Sequence, residues 1–197
     1  MARATGTKRA ILDATLELAA TKGISGTTMD EVAERAGVAK GSLYYNFSSK
    51  DKLFEKLLQE GVGALAETLR AASAGLHGSA ALEALVRALL DRIAANTALS
   101  KLMAAEIFRT DRTWQKSLFA LRHEALAVFA DAIAEAKPGS RADATCGLMA
   151  SSVFGAVLMA GLEWLVFEPD RPRDEVAAAI LGSLSGGLFG EERSGPC

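Results

Sequence analysis

Over residues 8 to 58 the chain repeats one pattern: a run of apolar residues at helical spacing, a turn signal, and a new start. In KRAILDATLELAATKG, Ile11, Ala14 and Leu18 with Leu12, Leu16 and Ala19 form one broad helical face, and Gly23 is a stop signal. In TTMDEVAERAG, Thr28 and Glu31 have the spacing of a capping box, Val32 and Ala33 point inward, and Gly37 ends a second helix. That helix is short, about nine residues. A third helix is expected at roughly 39–46, burying Val38 and Leu43. Ser48 or Ser49 then caps a longer fourth helix, which carries Leu53, Phe54 and Leu57 to about residue 72. Two short helices joined by a tight glycine turn, packed on one helix before and one after, are the makings of a helix-turn-helix.

The rest of the chain continues in the same vein. Half of the residues are hydrophobic but only 6% are aromatic, and three of the four prolines lie beyond residue 168. Alanine- and leucine-rich stretches free of proline favour packed helices over a sheet. After the turn-rich SAGLHGS, amphipathic runs follow at Leu82–Ile93, Leu99–Arg109, Arg112–Ala136 and Arg141–Phe167, and a last one begins near Pro172. The fold class is all-α, with about nine helices and no internal repeat.

The second of the two short helices contains KGSLYYN, which holds both tyrosines of the chain side by side. With Leu43 turned to the core, Lys40, Gly41, Ser42, Tyr44 and Tyr45 are exposed. In a helix-turn-helix this helix enters the major groove and its N-terminal residues meet base edges. The residue types suit that use. Lys40 is a cation for phosphate or a guanine edge, Gly41 lets the backbone come close, and Ser42 and the phenols hydrogen-bond phosphate. Two helix starts, at Thr28 and at Ser48-Ser49-Lys50, flank the surface and favour anions. Charge gives weak support: nine Lys and Arg face seven Asp and Glu over residues 1–58, against thirteen and seventeen in the remainder.

At GVAKGSLYYNFSSKDKLF, and without a gap in the preceding ILDATLELAATKGISGTTMDEVAERA, the sequence resembles the DNA-binding signature of tetracycline-repressor-type (TetR family) transcriptional regulators. The likeness covers about residues 7 to 58. It implies a helix-turn-helix domain over residues 1–50 and a helical ligand-binding and dimerisation body over 51–197. It implies DNA contacts at Thr28, Lys40, Gly41, Ser42, Tyr44, Tyr45 and Lys50, with Asn46 where the family often has histidine. Phe47 matches a buried position.

For the body, the resemblance points to the last two helices as a dimer surface. Gly147, Ala150, Gly155, Ala156 and Gly161 allow close approach, and Val153, Val157, Leu158, Leu165, Ile180 and Leu184 supply apolar area. The same residues could instead pack inside one subunit. An effector site is implied among Met103, Phe108, Trp114, Phe119, Phe154 and Trp164, with Glu106, Arg122 or His123 orienting a polar end. Core packing for the large residues and a solvated face for the polar ones are the competing readings. A mostly apolar lining suits a mostly apolar ligand.

Other function classes fit poorly. His77 and His123 stand apart, Cys146 lies in an apolar helix far from either, and no glycine-rich phosphate loop occurs, so neither an enzyme nor a metal or cofactor site is expected. Residues 144–162 are uncharged and near membrane-spanning length, but their serines, threonine and glycines and acidic flanks read as a buried or interface helix. With no apolar core of a signal peptide in MARATGTKRA, a cytoplasmic location is expected. The expectation is a cytoplasmic homodimer that binds a palindromic double-stranded operator and is released by a small-molecule effector, usually as a repressor. A helical protein-binding adaptor is the alternative, and it gives no reason for Tyr44, Tyr45 and Lys50.

Overall fold

The computed structural model describes residues 2–63, 65–106, 109, 114–136 and 144–188. Its elements are all helices: α1 (Ala2–Gly26), α2 (Met29–Arg35), α3 (Lys40–Asn46), α4 (Lys50–Val62), α5 (Leu65–Ser73), α6 (Gly78–Ala95), α7 (Thr97–Glu106), α8 (Gln115–Ala136), α9 (Ala144–Phe167) and α10 (Arg173–Leu188). The all-α class is as expected. The described residues form ten helical segments because the stretch read as one helix to about residue 72 is two, α4 and α5. Glycines at 61 and 63 weaken the helix there. A Cβ at residue 63 would lie 2.4 Å from the Gln59 carbonyl oxygen, so the path suits glycine alone.

The chain divides into two compact units, one of Met1–Gly63 with Ala98–Leu121 and one of Ala64–Thr97 with Arg122–Cys197. In the first, α1 packs on α2 and α4, and α2 on α3. Its core gathers Ile11, Ile24, Val32, Leu43, Leu53, Phe54 and Leu58, joined by Leu99, Leu102 and Trp114 from much later in the chain. Phe54 and Trp114 pack as tilted rings with centroids 6.1 Å apart, and the Ser117 hydroxyl donates to Glu55 Oε1 at 3.0 Å. The expected inward face of α1 does face the core: Ile11, Leu12, Ala14 and Ala19 are buried, and Leu16 and Leu18 are partly buried against it.

In the second unit α6 is the central helix, packed on α5, α9 and α10. Leu82, Leu85, Val86, Leu89, Leu90 and Ile93 are all buried, as their spacing predicts. Arg87 bridges to Asp174 at 2.5 Å and Arg173 to Asp91 at 2.7 Å, tying the start of α10 to α6. The buried Cys146 thiol donates to the Ala130 carbonyl oxygen at 3.3 Å.

The uncharged helix α9 buries Cys146, Ala150, Val153, Val157 and Gly161 along one stripe. At Gly161 an added Cβ would meet Leu90 and Ile93 at 3.2 Å. Val153, Val157, Gly161 and, on α10, Ile180 are therefore core of a single chain, and the interface reading of these four is corrected. Leu158, Leu165 and Leu184 are half-buried. The exposed apolar residues of α9 are Leu148, Met159, Val166 and Phe167. Among the described residues, only the Cys146–Phe167 stretch is long and apolar enough to cross a membrane.

Candidate nucleic-acid interface

The candidate surface is built by three turns, each with its own local cause. Gly23 interrupts α1 with φ 72° and ψ 168°, a conformation that side chains disfavour, and Ile24 beyond it is buried. Thr28 then starts α2 as a complete capping box. Its side chain accepts from the Glu31 N–H at 3.3 Å, and its own N–H donates to Glu31 Oε2 at 3.0 Å. At the other end of α2, Val38 N–H reaches the Ala33 carbonyl and Gly37 N–H the Glu34 carbonyl, with Gly37 at φ 65°. This is a Schellman turn, and it aims α3 away from α2. Ser49, rather than Ser48, caps α4 through the Lys52 N–H at 3.2 Å.

These turns leave α3 with Leu43 at 0% exposure beneath it, Tyr44 at 50% and Tyr45 at 90% above. Two adjacent phenols therefore stand in solvent. Gly41 is exposed, and an added Cβ would meet nothing within 4 Å. Ser42 is half-buried, and the Asn46 amide donates back to its carbonyl at 2.8 Å, which closes the end of α3. Phe47 is buried, as expected, with Lys8 Nζ 5.8 Å above its ring.

The cations of the surface are already engaged. Lys40 Nζ donates to Asp30 Oδ2 at 2.7 Å, and Lys50 Nζ to the Ser25 carbonyl at 3.1 Å, which ties the start of α4 to the end of α1. The carboxylate of Asp30 raises the Lys40 ammonium above the ordinary lysine value. Lys22, the Thr28 hydroxyl and the Thr28 N–H all donate to Glu31, and lower its carboxyl to about 2. The Thr28 hydroxyl is thus first a cap, and a phosphate contact there competes with Glu31.

Residues 11–57, the span that builds this geometry, match the family model for bacterial regulatory proteins of the tetR family. Those residues form a tetR-family DNA-binding domain. Among curated relatives, the transcriptional repressor KstR2 of Rhodococcus jostii is 35% identical over 82 residues, which cover 41% of this chain and 40% of that protein. The chain spans less than half the length of the curated relatives it matches. Solved structures align along nearly the whole chain. A Clostridium perfringens protein assigned as a fatty acid metabolism regulator has a TM-score of 0.76 at 27% identity, covering 92% of this chain and 98% of that one. The regulator FadR of Bacillus subtilis, in complex with stearoyl-CoA, has a TM-score of 0.71 at 16% identity, covering 93% and 99%. These matched proteins are transcriptional regulators and not enzymes.

The DNA-facing residues named from sequence all lie in the first unit, whereas the effector residues named from sequence are divided between the two units. Met103, Glu106, Trp114 and Phe119 lie in the first unit, His123, Phe154 and Trp164 in the second, and Phe108 lies outside the described residues. Trp114 is core against Phe54, and Phe154 meets Phe129 edge-on at 6.0 Å. Trp164 donates its indole N–H to the Arg171 carbonyl at 2.8 Å. Phe119 and His123 are exposed, and Arg122 donates to the Ser151 hydroxyl at 3.2 Å. Glu106 is buried, with Arg109 Nε 4.0 Å away. Sequence reasoning passed over Gln115, whose buried Nε2 has no hydrogen-bond partner. Its place one residue after Trp114 gave no signal. Two surface cavities of about 390 and 420 Å³, at the α9–α10 turn and beside Cys146, are lined by none of the expected effector residues.

Proposed function

We propose that the protein is a ligand-responsive DNA-binding transcriptional regulator of the cytoplasm. It acts as a repressor that holds a palindromic operator as a homodimer and is released by a small, mostly apolar effector. The observation that carries the reading is the outer face of α3. Tyr44 and Tyr45 are adjacent and exposed, and Gly41 stands one turn before them with no atom of the chain near its missing Cβ. An exposed glycine in a helix costs about 0.5–1 kcal/mol relative to alanine, so close approach from outside explains it better than packing does. Phenol hydroxyls, Ser42 and the Lys40 ammonium are the donors that phosphate and base edges accept from.

The helix-turn-helix reads half a palindrome, so a second copy is needed. Leu148, Met159, Val166 and Phe167 on the outer face of α9 form the apolar surface that a second copy would cover. In this reading residues 1–50 bind DNA, while 51–197 carry the dimer surface and the effector site. The relative from Clostridium perfringens, assigned to fatty acid metabolism, makes fatty acids and their acyl-CoA esters the first effectors to try.

Selection of the purified protein against random double-stranded DNA, beside a Tyr44→Ala variant, tests the reading. Wild type should enrich a palindrome and the variant should not. Repeating the selection with refolded, ligand-stripped protein guards against an effector carried through purification. A second blank would overturn DNA binding and favour a protein-binding adaptor. Release of the enriched duplex by an acyl-CoA would identify the effector class.

A further inference from the structure

Lys40 opens α3 at the point where that helix would meet base edges, yet its ammonium is held by Asp30 on α2 at 2.7 Å. The two side chains are 66% and 61% exposed, so the bridge is no part of the core. Exposed pairs of this kind add only about 0–1 kcal/mol to a fold. A carboxylate on a surface meant for a polyanion is costly unless it does something there. We propose that Asp30 is a specificity-determining residue of this surface, one that positions Lys40 to read a base edge and withholds it from phosphate. The inference rests on the DNA-binding reading above, and Asp30 acts through Lys40.

The argument is one of donors and charges. An ammonium has three N–H donors. With one on Asp30, two remain for paired neutral acceptors such as guanine O6 and N7. Phosphate, by contrast, brings a negative charge beside the Asp30 carboxylate, and that repulsion offsets part of its attraction to the ammonium, a penalty a neutral base acceptor does not meet. Affinity for DNA of any sequence comes from phosphate contacts, each adding about 0.9 to the slope of log affinity against log salt. A lysine kept from phosphate lowers that background while leaving its base contact in place. Specificity is the difference between two affinities, and a repulsive element against the wrong partner widens it. Two further cations of this domain are held by carboxylates in the same way, Lys22 by Glu31 and Arg35 by Glu17.

The test compares the duplex enriched by selection with a scrambled duplex of equal length, over a salt series. Wild type, Asp30→Asn, Asp30→Glu, Lys40→Met and the Asp30→Asn/Lys40→Met double variant are measured. Asp30→Asn should tighten binding to the scrambled duplex about fivefold, steepen its salt slope by about 1, and narrow the preference for the selected duplex. Asp30→Glu should restore the wild-type preference. In the Lys40→Met background, Asp30→Asn should no longer narrow the preference or steepen the slope by that amount. An equal change on both duplexes, or the same loss of preference without Lys40, would overturn the role given to Asp30. Failure of wild type to prefer any duplex is a different result: it sinks the DNA-binding reading itself, and this inference with it.

Discussion

Gly61 on α4 lies directly against Leu99 on α7: a Cβ at residue 61 would stand 2.3 Å from Leu99 Cδ2 and 3.0 Å from Cδ1. Leu99 is buried in the core of the first unit, so its side chain has little room to retreat. Gly61→Ala should therefore destabilise the protein by about 1–3 kcal/mol, outweighing the gain in helix propensity. Chemical denaturation of the variant checks this. In Gly61→Ala/Leu99→Ala the combined loss should fall short of the sum of the single losses, because the truncated side chain removes the clash.

Gly41 presents the opposite case. Nothing in the chain approaches its missing side chain. Gly41→Ala should leave the fold unchanged or raise its stability by up to about 1 kcal/mol. Binding to the selected duplex should weaken at the same time. A melting curve beside a binding isotherm separates the two effects, and a variant that binds as well as wild type would remove Gly41 from the interface.

Leu43 and Tyr44 are neighbours with opposite expected effects. Leu43 is wholly buried and Tyr44 half exposed. Leu43→Ala should cost about 2–5 kcal/mol of stability. Tyr44→Ala should cost about 0.5 kcal/mol or less, yet lose about 1–3 kcal/mol of binding to the selected duplex. Denaturant midpoints and duplex titrations on both variants give the contrast.

Glu31 sets a pH window for the capping box. Its carboxyl is lowered from 4.5 to about 2 by Lys22 and by the Thr28 hydroxyl and N–H. The folded value is below the unfolded one, so the stabilisation is complete above about pH 4.5 and is lost as pH falls towards 2. Denaturation of wild type and Glu31→Gln from pH 5 downwards should show a stability difference that shrinks with acid. A difference that stays constant through this window would contradict the assignment. At neutral pH, Thr28→Ala should cost about 1 kcal/mol through loss of the cap.

Much of the first domain was legible residue by residue because its signals are local. A capping box needs only the spacing of Thr28 and Glu31, and a Schellman turn needs only a glycine at residue 37. The seven-residue α2 and α3 then follow, and the exposure of Tyr44 and Tyr45 follows from the burial of Leu43. The break between α4 and α5 was missed because amphipathic spacing runs through Gly61 and Gly63. Only the fit of neighbouring atoms decides whether a glycine bends a helix. The effector set is not separated from core for a related reason. Size and hydrophobicity mark Trp114 and Phe154 equally as core or pocket, and no local pattern separates the two.

Sequence by itself determined the all-α class, the helix-turn-helix and its turns, because hydrogen bonds within five residues and helical periodicity set each of these. Tertiary structure alone decided which stripe of α9 is buried, since an uncharged helix has no polar side to mark its orientation. It also brought Leu99, Leu102 and Trp114 under the N-terminal helices, across more than forty residues of chain. The pairing of Asp30 with Lys40 belongs to the same class, as a contact between two helices whose crossing no spacing rule encodes. Periodicity states which residues turn inward; only packing states what they meet there.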